Sequence, residues 1–436
     1  MMAREVLRET YSLCPVCMKR IPAENVTCDG VSVRMEKTCP EHGDFSTVIW
    51  RGKESYLDWI YGMEPLAGEP EHCPDSCGIC EKHRQGTCCV LLEVTDRCDM
   101  SCPYCFADGK GSEPSFEEVC REIDAILTRG RVLIQFSGGE PTMRDDLPEI
   151  VAYAKSKGAS YVQLNSNGLR LSYDEEYVKR LHTAGLSFVF MQFDGVTDEV
   201  FRTIRGRPLL REKLAAIDMC SKYEIGVTLV PVIVPGLNDG QIGDIIRLGV
   251  SLSPAVRGVH FQPVSYFGRY PAPPEDDMRY TLDDLLSDIC EQSGGLIERS
   301  SITPSHCDHA MCGLHGAFIA YEGRLVPLKK DQGGESCCCV TAEQNRNFVG
   351  KRWQRPLETG CCNADIETLD GFLKLSREHA FTVTAMAFQD AYNVDLERLL
   401  KCSMHVRSDG RFMPFCAKYI TDTRGVRLFD GAHCDE

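Results

Sequence analysis

The chain has 436 residues, 43% hydrophobic and 26% charged, ordinary values for a globular protein and too long for one small domain. Its formal charge, 48 − 64 = −16, argues against broad binding to nucleic acid or anionic membranes. No apolar run reaches membrane-spanning length, and "MMAREVLRETYS" lacks a signal peptide's apolar stretch, so a cytoplasmic protein with no transmembrane segment is expected. Cysteine is the outlier: there are 25, and their clustering points to metal or redox sites rather than disulfides.

Residues 1–55 read as a rubredoxin-like or zinc-ribbon module. Cys14-Pro-Val-Cys17 and Cys39-Pro-Glu-His42 form two knuckles of a mononuclear tetrahedral site. Cys28 is an alternative to His42 as fourth ligand, and both iron and zinc accept such a set. Residues 56–89 form a cysteine-rich connector. Cys73, Cys77 and Cys80 have C-x3-C-x2-C spacing, and Cys88 and Cys89 follow. A strand starts there and adjacent strand residues face opposite ways, so Cys88 alone is expected to ligate. Four ligands would fill an auxiliary [4Fe–4S] cluster; a structural zinc knuckle is the alternative.

Residues 90–300 alternate strands with helices. Six short apolar runs recur: "VLLEVT", "RVLIQFSGG", "YVQLNSNG", "FVFMQFDG", "GVTLVPVIVPG" and "GVHFQPVS". Segments such as "SFEEVCREIDAILTRG" separate them, which indicates an α/β architecture, either a doubly wound sheet or a partial barrel. In both, functional loops gather at the C-terminal ends of the strands. Directly after the first run, "CDMSCPYC" repeats the C-x3-C-x2-C spacing with Cys98, Cys102 and Cys105. A four-iron cluster needs one ligand per iron, so three cysteines leave one iron open to an external ligand. The alternative is zinc with a distant fourth ligand.

Residues 301–436 form a C-terminal region. Cys307 and Cys312, with Cys402 and Cys416, are expected to converge on a second auxiliary [4Fe–4S] cluster; buried free thiols are the alternative. Cys337, Cys338, Cys339, Cys361 and Cys362 have no assignment.

"CDMSCPYC" after the first strand and "GGEPT" after the second resemble the radical S-adenosylmethionine (SAM) superfamily. The resemblance implies a partial (β/α)6 barrel and a [4Fe–4S] cluster on Cys98, Cys102 and Cys105. The cluster cleaves SAM reductively to a 5′-deoxyadenosyl radical that abstracts hydrogen from an unactivated C–H bond. By position, Tyr104 packs near the adenine, and Gly138, Gly139 and Glu140 meet the methionine amino group. Asn165 and Asp194 are candidate ribose or substrate contacts, Arg202 or Arg205 would reach the carboxylate, and "VIVPGLND" borders the adenine. With "CPVC…CPEHG", "CPDSCGIC…TC" and "DGRFMPFC", most of the chain resembles the group that includes archaeal tetraether lipid synthase and a pterin-methylating enzyme. That implies C–C bond formation or methylation of a small-molecule or lipid-like substrate, with a low-potential donor such as ferredoxin or flavodoxin. About 90 residues filled by metal motifs precede the barrel, which predicts cobalamin independence. A peptide-modifying branch and a non-catalytic electron carrier are the rival readings; "GGEPT" argues against the carrier.

Overall fold

The computed structural model describes residues 4–63, 73–74, 79–107, 113–272, 274–305, 307–328, 340–356 and 366–429. Cys77, Cys337, Cys338, Cys339, Cys361 and Cys362 lie outside them.

The N-terminal module is an antiparallel sheet in the order β1 (Glu5–Leu13), β2 (Arg20–Thr27), β3 (Val33–Cys39), β4 (Gly43–Trp50). In such a meander the first and third turns fall at the same end, so Cys14-Cys17 meets Cys39-His42. The module docks through its first strand. Arg8 pairs with Glu397 at 2.6 Å, and Thr10 Oγ1 donates to Asp395 at 2.7 Å. The buried Lys37 Nζ donates to Ser12 Oγ, Leu13 O and Ala391 O at 2.8–2.9 Å.

The second sheet has 13 strands: β5 (Cys89–Thr95), β6 (Leu133–Gly138), β7 (Tyr161–Ser166), β8 (Phe188–Gln192), β9 (Gly226–Val230), β10 (Val232–Ile233), β11 (Val256–Pro263), β12 (Thr303–Pro304), β13 (Gly313–Tyr321), β14 (Arg324–Pro327), β15 (Ala380–Met386), β16 (Met404–Ser408) and β17 (Arg411–Pro414). The six expected runs are β5, β6, β7, β8, β9 and β11. They lie side by side in that order, all parallel, as a (β/α)6 core requires. The boundary expected at residue 300 is not a boundary of the sheet. β15 adds in parallel to β11 and β16 to β5, so the C-terminal region extends both edges. The reason is general: a bare edge of a parallel sheet leaves a row of unpaired backbone groups.

Side chains alternate along each strand. Val90, Leu92 and Val94 of β5, Ile134 and Phe136 of β6, and Val259 and Phe261 of β11 face outward into the helix-covered core. Their neighbours Leu91, Gln135, Ser137, His260 and Gln262 face inward and line an internal cavity of about 610 Å³. A closed barrel of this class is normally filled by branched apolar side chains; this lumen is open, with polar side chains set among a mainly apolar lining. The two ends of the curled sheet meet at a seam: Ser403 N donates to Asp308 Oδ1 at 2.7 Å, and Gln85 Nε2 donates to Cys307 O at 2.6 Å.

Candidate functional site

The loop after β5 carries Cys98, Cys102 and Cys105 to the cavity, which all three line. The loop is held at intervals, through one side chain and several backbone groups. Asn167 Nδ2 donates to Asp99 Oδ1 at 2.7 Å, and Arg269 Nη1 donates to Cys102 O at 3.2 Å. Cys105 and Arg269 exchange two backbone hydrogen bonds, at 3.1 and 2.8 Å, and Arg205 Nη1 donates to Tyr104 O at 3.0 Å. Burial pushes the Cys98 thiol up to about 12, so loading iron there displaces a proton.

Gly138 and Gly139 lie beneath this loop. Gly138 has φ +125°, and a Cβ on either residue would collide with the Thr95 or Arg97 carbonyl. Gly139 N and Glu140 N donate to those same oxygens, each at 2.8 Å. The Glu140 side chain is a clasp between β6 and β7: it accepts from Thr142 Oγ1 at 2.6 Å, Ser166 Oγ at 2.8 Å and Asn167 N at 2.6 Å. Tyr104, Gly138, Gly139, Glu140, Asn165 and Arg205 all line the cavity.

Two expected contacts do not reach it. Asp194 is fully buried, and its carboxylate holds the Arg205 guanidinium in a bidentate pair at 2.7 and 2.8 Å while also accepting from Val232 N. It positions Arg205 and touches no open space. Arg202 is exposed on the helix Asp198–Arg205 and does not line this cavity, whereas Arg205 at the end of that helix does.

The metal module is assembled. Ligand atoms of Cys14, Cys17, Cys39 and His42 all lie within 4.8 Å of one another, and Val16 N donates to Cys14 Sγ at 3.5 Å. Cys28 is exposed and hydrogen-bonds Glu36, so it is not the fourth member.

Most of the cysteines of the two expected auxiliary sets lie among the described residues. Cys88 packs with Cys307 and Ala342 rather than with Cys73 or Cys80, and Asn345 Nδ2 donates to its sulfur at 3.6 Å. Cys312 and Cys416 each accept a hydrogen bond from a neighbouring N–H group. Arg398 Nε donates to Cys312 Sγ at 3.4 Å and Gln389 N to Cys416 Sγ at 3.3 Å. Cys402 N bonds Leu399 O, next to Arg398. N–H donors aimed at sulfur suit thiolate ligands. An aromatic group, Phe106, Phe267, Phe388, Phe415 and Tyr419, fills the space between Cys105 and Cys416.

The expectations missed the lumen. Gln135, Gln192 and Gln262 each sit on the inward side of a strand, and Gln163 completes a repeat. A glutamine at alternate positions among apolar residues was the available signal.

The radical SAM superfamily profile matches residues 92–249, and the profile described as the HMPTM N-terminal zinc ribbon domain matches residues 6–51. The chain is 32% identical over 471 aligned residues to the 7,8-dihydro-6-hydroxymethylpterin dimethyltransferase of Methanocaldococcus jannaschii, covering 94% of this chain and 92% of that protein. It is 42% identical over 123 residues to the Fe-coproporphyrin III synthase of Methanosarcina barkeri, covering 27% and 30% of the two chains. Among solved structures, Streptococcus suis SuiB bound to S-adenosylmethionine shares 13% identity and a TM-score of 0.38, covering 49% of this chain and 48% of that one, too distant to argue from. The chain belongs to the radical SAM superfamily and is a radical SAM enzyme, similar along nearly its whole length to a pterin dimethyltransferase.

Proposed function

We propose that this enzyme is a cobalamin-independent methyltransferase acting on a small pterin-like heterocycle. The observation that carries this reading is the end-to-end similarity to an enzyme named for dimethylating a dihydropterin. Cys98, Cys102 and Cys105 would hold the [4Fe–4S] cluster, three ligands on one braced loop at the edge of the cavity. When bound, the cluster would cleave one SAM reductively to methionine and a 5′-deoxyadenosyl radical that abstracts hydrogen, and a second SAM would donate the methyl group, leaving S-adenosylhomocysteine, with both electrons drawn from the reductant.

The chain's own residues do the positioning. Arg205, fixed by Asp194, holds the Tyr104 carbonyl and so one turn of the cluster loop. Glu140 ties the end of β6 to Ser166 and Asn167, which fixes the floor on which the methionine part of SAM would rest. Tyr104 and Asn165 stand at the rim. Cys312, Cys402 and Cys416 would serve an auxiliary cluster; Cys73, Cys77 and Cys80 would serve another. A ferredoxin- or flavodoxin-class protein would supply electrons. Cys14, Cys17, Cys39 and His42 would hold one structural metal, and a Cys3His set suits zinc.

The test is anaerobic. Reconstituted enzyme is given SAM and dithionite, with or without 7,8-dihydro-6-hydroxymethylpterin, and products are separated by chromatography and mass spectrometry. A methylated pterin from wild type, absent with Cys98→Ala, supports the reading. 5′-Deoxyadenosine with the pterin unchanged would overturn the substrate assignment.

A further inference from the structure

The polar groups facing the lumen fall into two sets. The first set is already satisfied. Gln135 donates to Gln163 at 3.4 Å, Gln192 is held by Lys213 at 3.2 Å and by Asp194, and Glu140 is saturated. The second set is not. His260 is 8% exposed, its Nδ1 meets Thr384 Oγ1 at 2.9 Å, and its Nε2 has no hydrogen-bond partner among the described residues. Gln262, two residues along the same face of β11, makes no side-chain hydrogen bond there. Asn165 accepts from Gln163 Nε2 at 2.6 Å, which leaves its own Nδ2 donors unused. Asn165 and Gln262 are half-buried beside the buried His260, and all three line one cavity, where their unused groups offer hydrogen bonds to a ligand.

Charge narrows the ligand. Only two arginines line the cavity among the described residues. Arg205 is spent on Asp194; Arg269 is exposed at the mouth and bonded to Cys102 O. Among the described residues, the one lining cation without a carboxylate partner is Arg269 at the mouth, and none stands inside the lumen for phosphate. Burial pushes the His260 imidazole down to about 4, so that group is neutral as well. Shape narrows it further. Phe190 lies 5.3 Å from the His260 ring and 4.6 Å from the Trp353 ring, giving an aromatic wall beside the unpaired groups.

We propose that Asn165, His260 and Gln262 are the specificity-determining residues, reading the hydrogen-bonding edge of a neutral, planar, phosphate-free heterocycle that lies against Phe190 and Trp353. This rests on the proposed function, since it takes the lumen as the substrate site. It also disfavours phosphate-bearing substrates: a nucleoside triphosphate inside the lumen would find no partner for its charge there among the described residues.

The experiment is anaerobic calorimetric binding to the SAM-loaded holoenzyme. The probes are 7,8-dihydro-6-hydroxymethylpterin, its analogue with the 2-amino group replaced by oxygen, and GTP. The variants are Gln262→Leu and Asn165→Leu, with iron content per chain measured on each to confirm an intact protein. Wild type should bind the pterin, bind the analogue more weakly and bind GTP not at all. Each variant should lose about tenfold in pterin affinity, the worth of one buried hydrogen bond, and Gln262→Leu should lose discrimination between pterin and analogue. Pterin binding unchanged in both variants at normal iron content would overturn the inference and leave the proposed function standing. GTP binding as tight as pterin binding would also overturn it. Wild type that binds no pterin would overturn both.

Discussion

The N-terminal module and the cluster loop of the barrel both present cysteines, and they prepare them differently. In the module, four donor atoms already lie within 4.8 Å of one another. The three barrel cysteines form no such group, yet their loop's backbone is anchored to Arg205 and Arg269. A single ion draws its ligands to one point, whereas a four-iron cluster binds each cysteine to a different iron and so spreads them apart. The module is preorganised in its side chains and the loop in its main chain. The first site is therefore recognised by its ligand geometry, the second by what holds the loop.

The largest expected effect breaks that comparison outright. Cys102→Ala should remove about four irons per chain and reduce 5′-deoxyadenosine to background, while the module keeps its single metal. Cys39→Ser should do the reverse, losing the mononuclear metal with the barrel's iron retained. Metal analysis beside the deoxyadenosine assay reads both, and loss of all metal in either variant would show that the two sites are not independent.

Next comes the anchor beneath the loop. Asp194→Asn leaves the buried Arg205 guanidinium unpaired, and breaking such a pair costs about 3–5 kcal/mol. Denaturant unfolding should show that loss together with a lower iron content.

A smaller effect depends on pH. The His260 imidazole, ordinarily near 6.5, is held at about 4 by burial in the folded protein. The unfolded chain therefore takes up this proton first as the medium is acidified. Stability falls from about pH 6.5 and this contribution is complete near pH 4, to a limit of about 3 kcal/mol. His260→Gln should flatten that part of a stability-against-pH curve; an unchanged slope would place the acid sensitivity elsewhere.

The smallest effects belong to the residues outside both sites. Cys28→Ser and Arg202→Ala, at exposed positions, should change stability by no more than about 0.5 kcal/mol and leave metal content unchanged.

Much of this was legible in the sequence, for identifiable reasons. Six apolar runs marked six neighbouring parallel strands because outward-facing residues such as Ile134 and Val259 must cover the sheet with helices. Short cysteine spacings marked the module and the cluster loop because nearby ligands leave a local pattern. Contacts across the seam were not legible: Cys88 with Cys307 is a pairing over more than two hundred residues, set by how the sheet ends meet. Asp194 had the right residue type at a strand end. Nothing local to it showed that Arg205 would claim its carboxylate. The lumen was half legible, since the alternating glutamines were present but were read as part of continuous apolar strands.

The most direct test of the account places the substrate beside the radical. The enzyme would be given SAM, dithionite and 7,8-dihydro-6-hydroxymethylpterin carrying deuterium on its carbon atoms, and the 5′-deoxyadenosine formed would be weighed by mass spectrometry. The account predicts deuterium in 5′-deoxyadenosine from wild type. Abundant 5′-deoxyadenosine without deuterium, at saturating pterin, would contradict it.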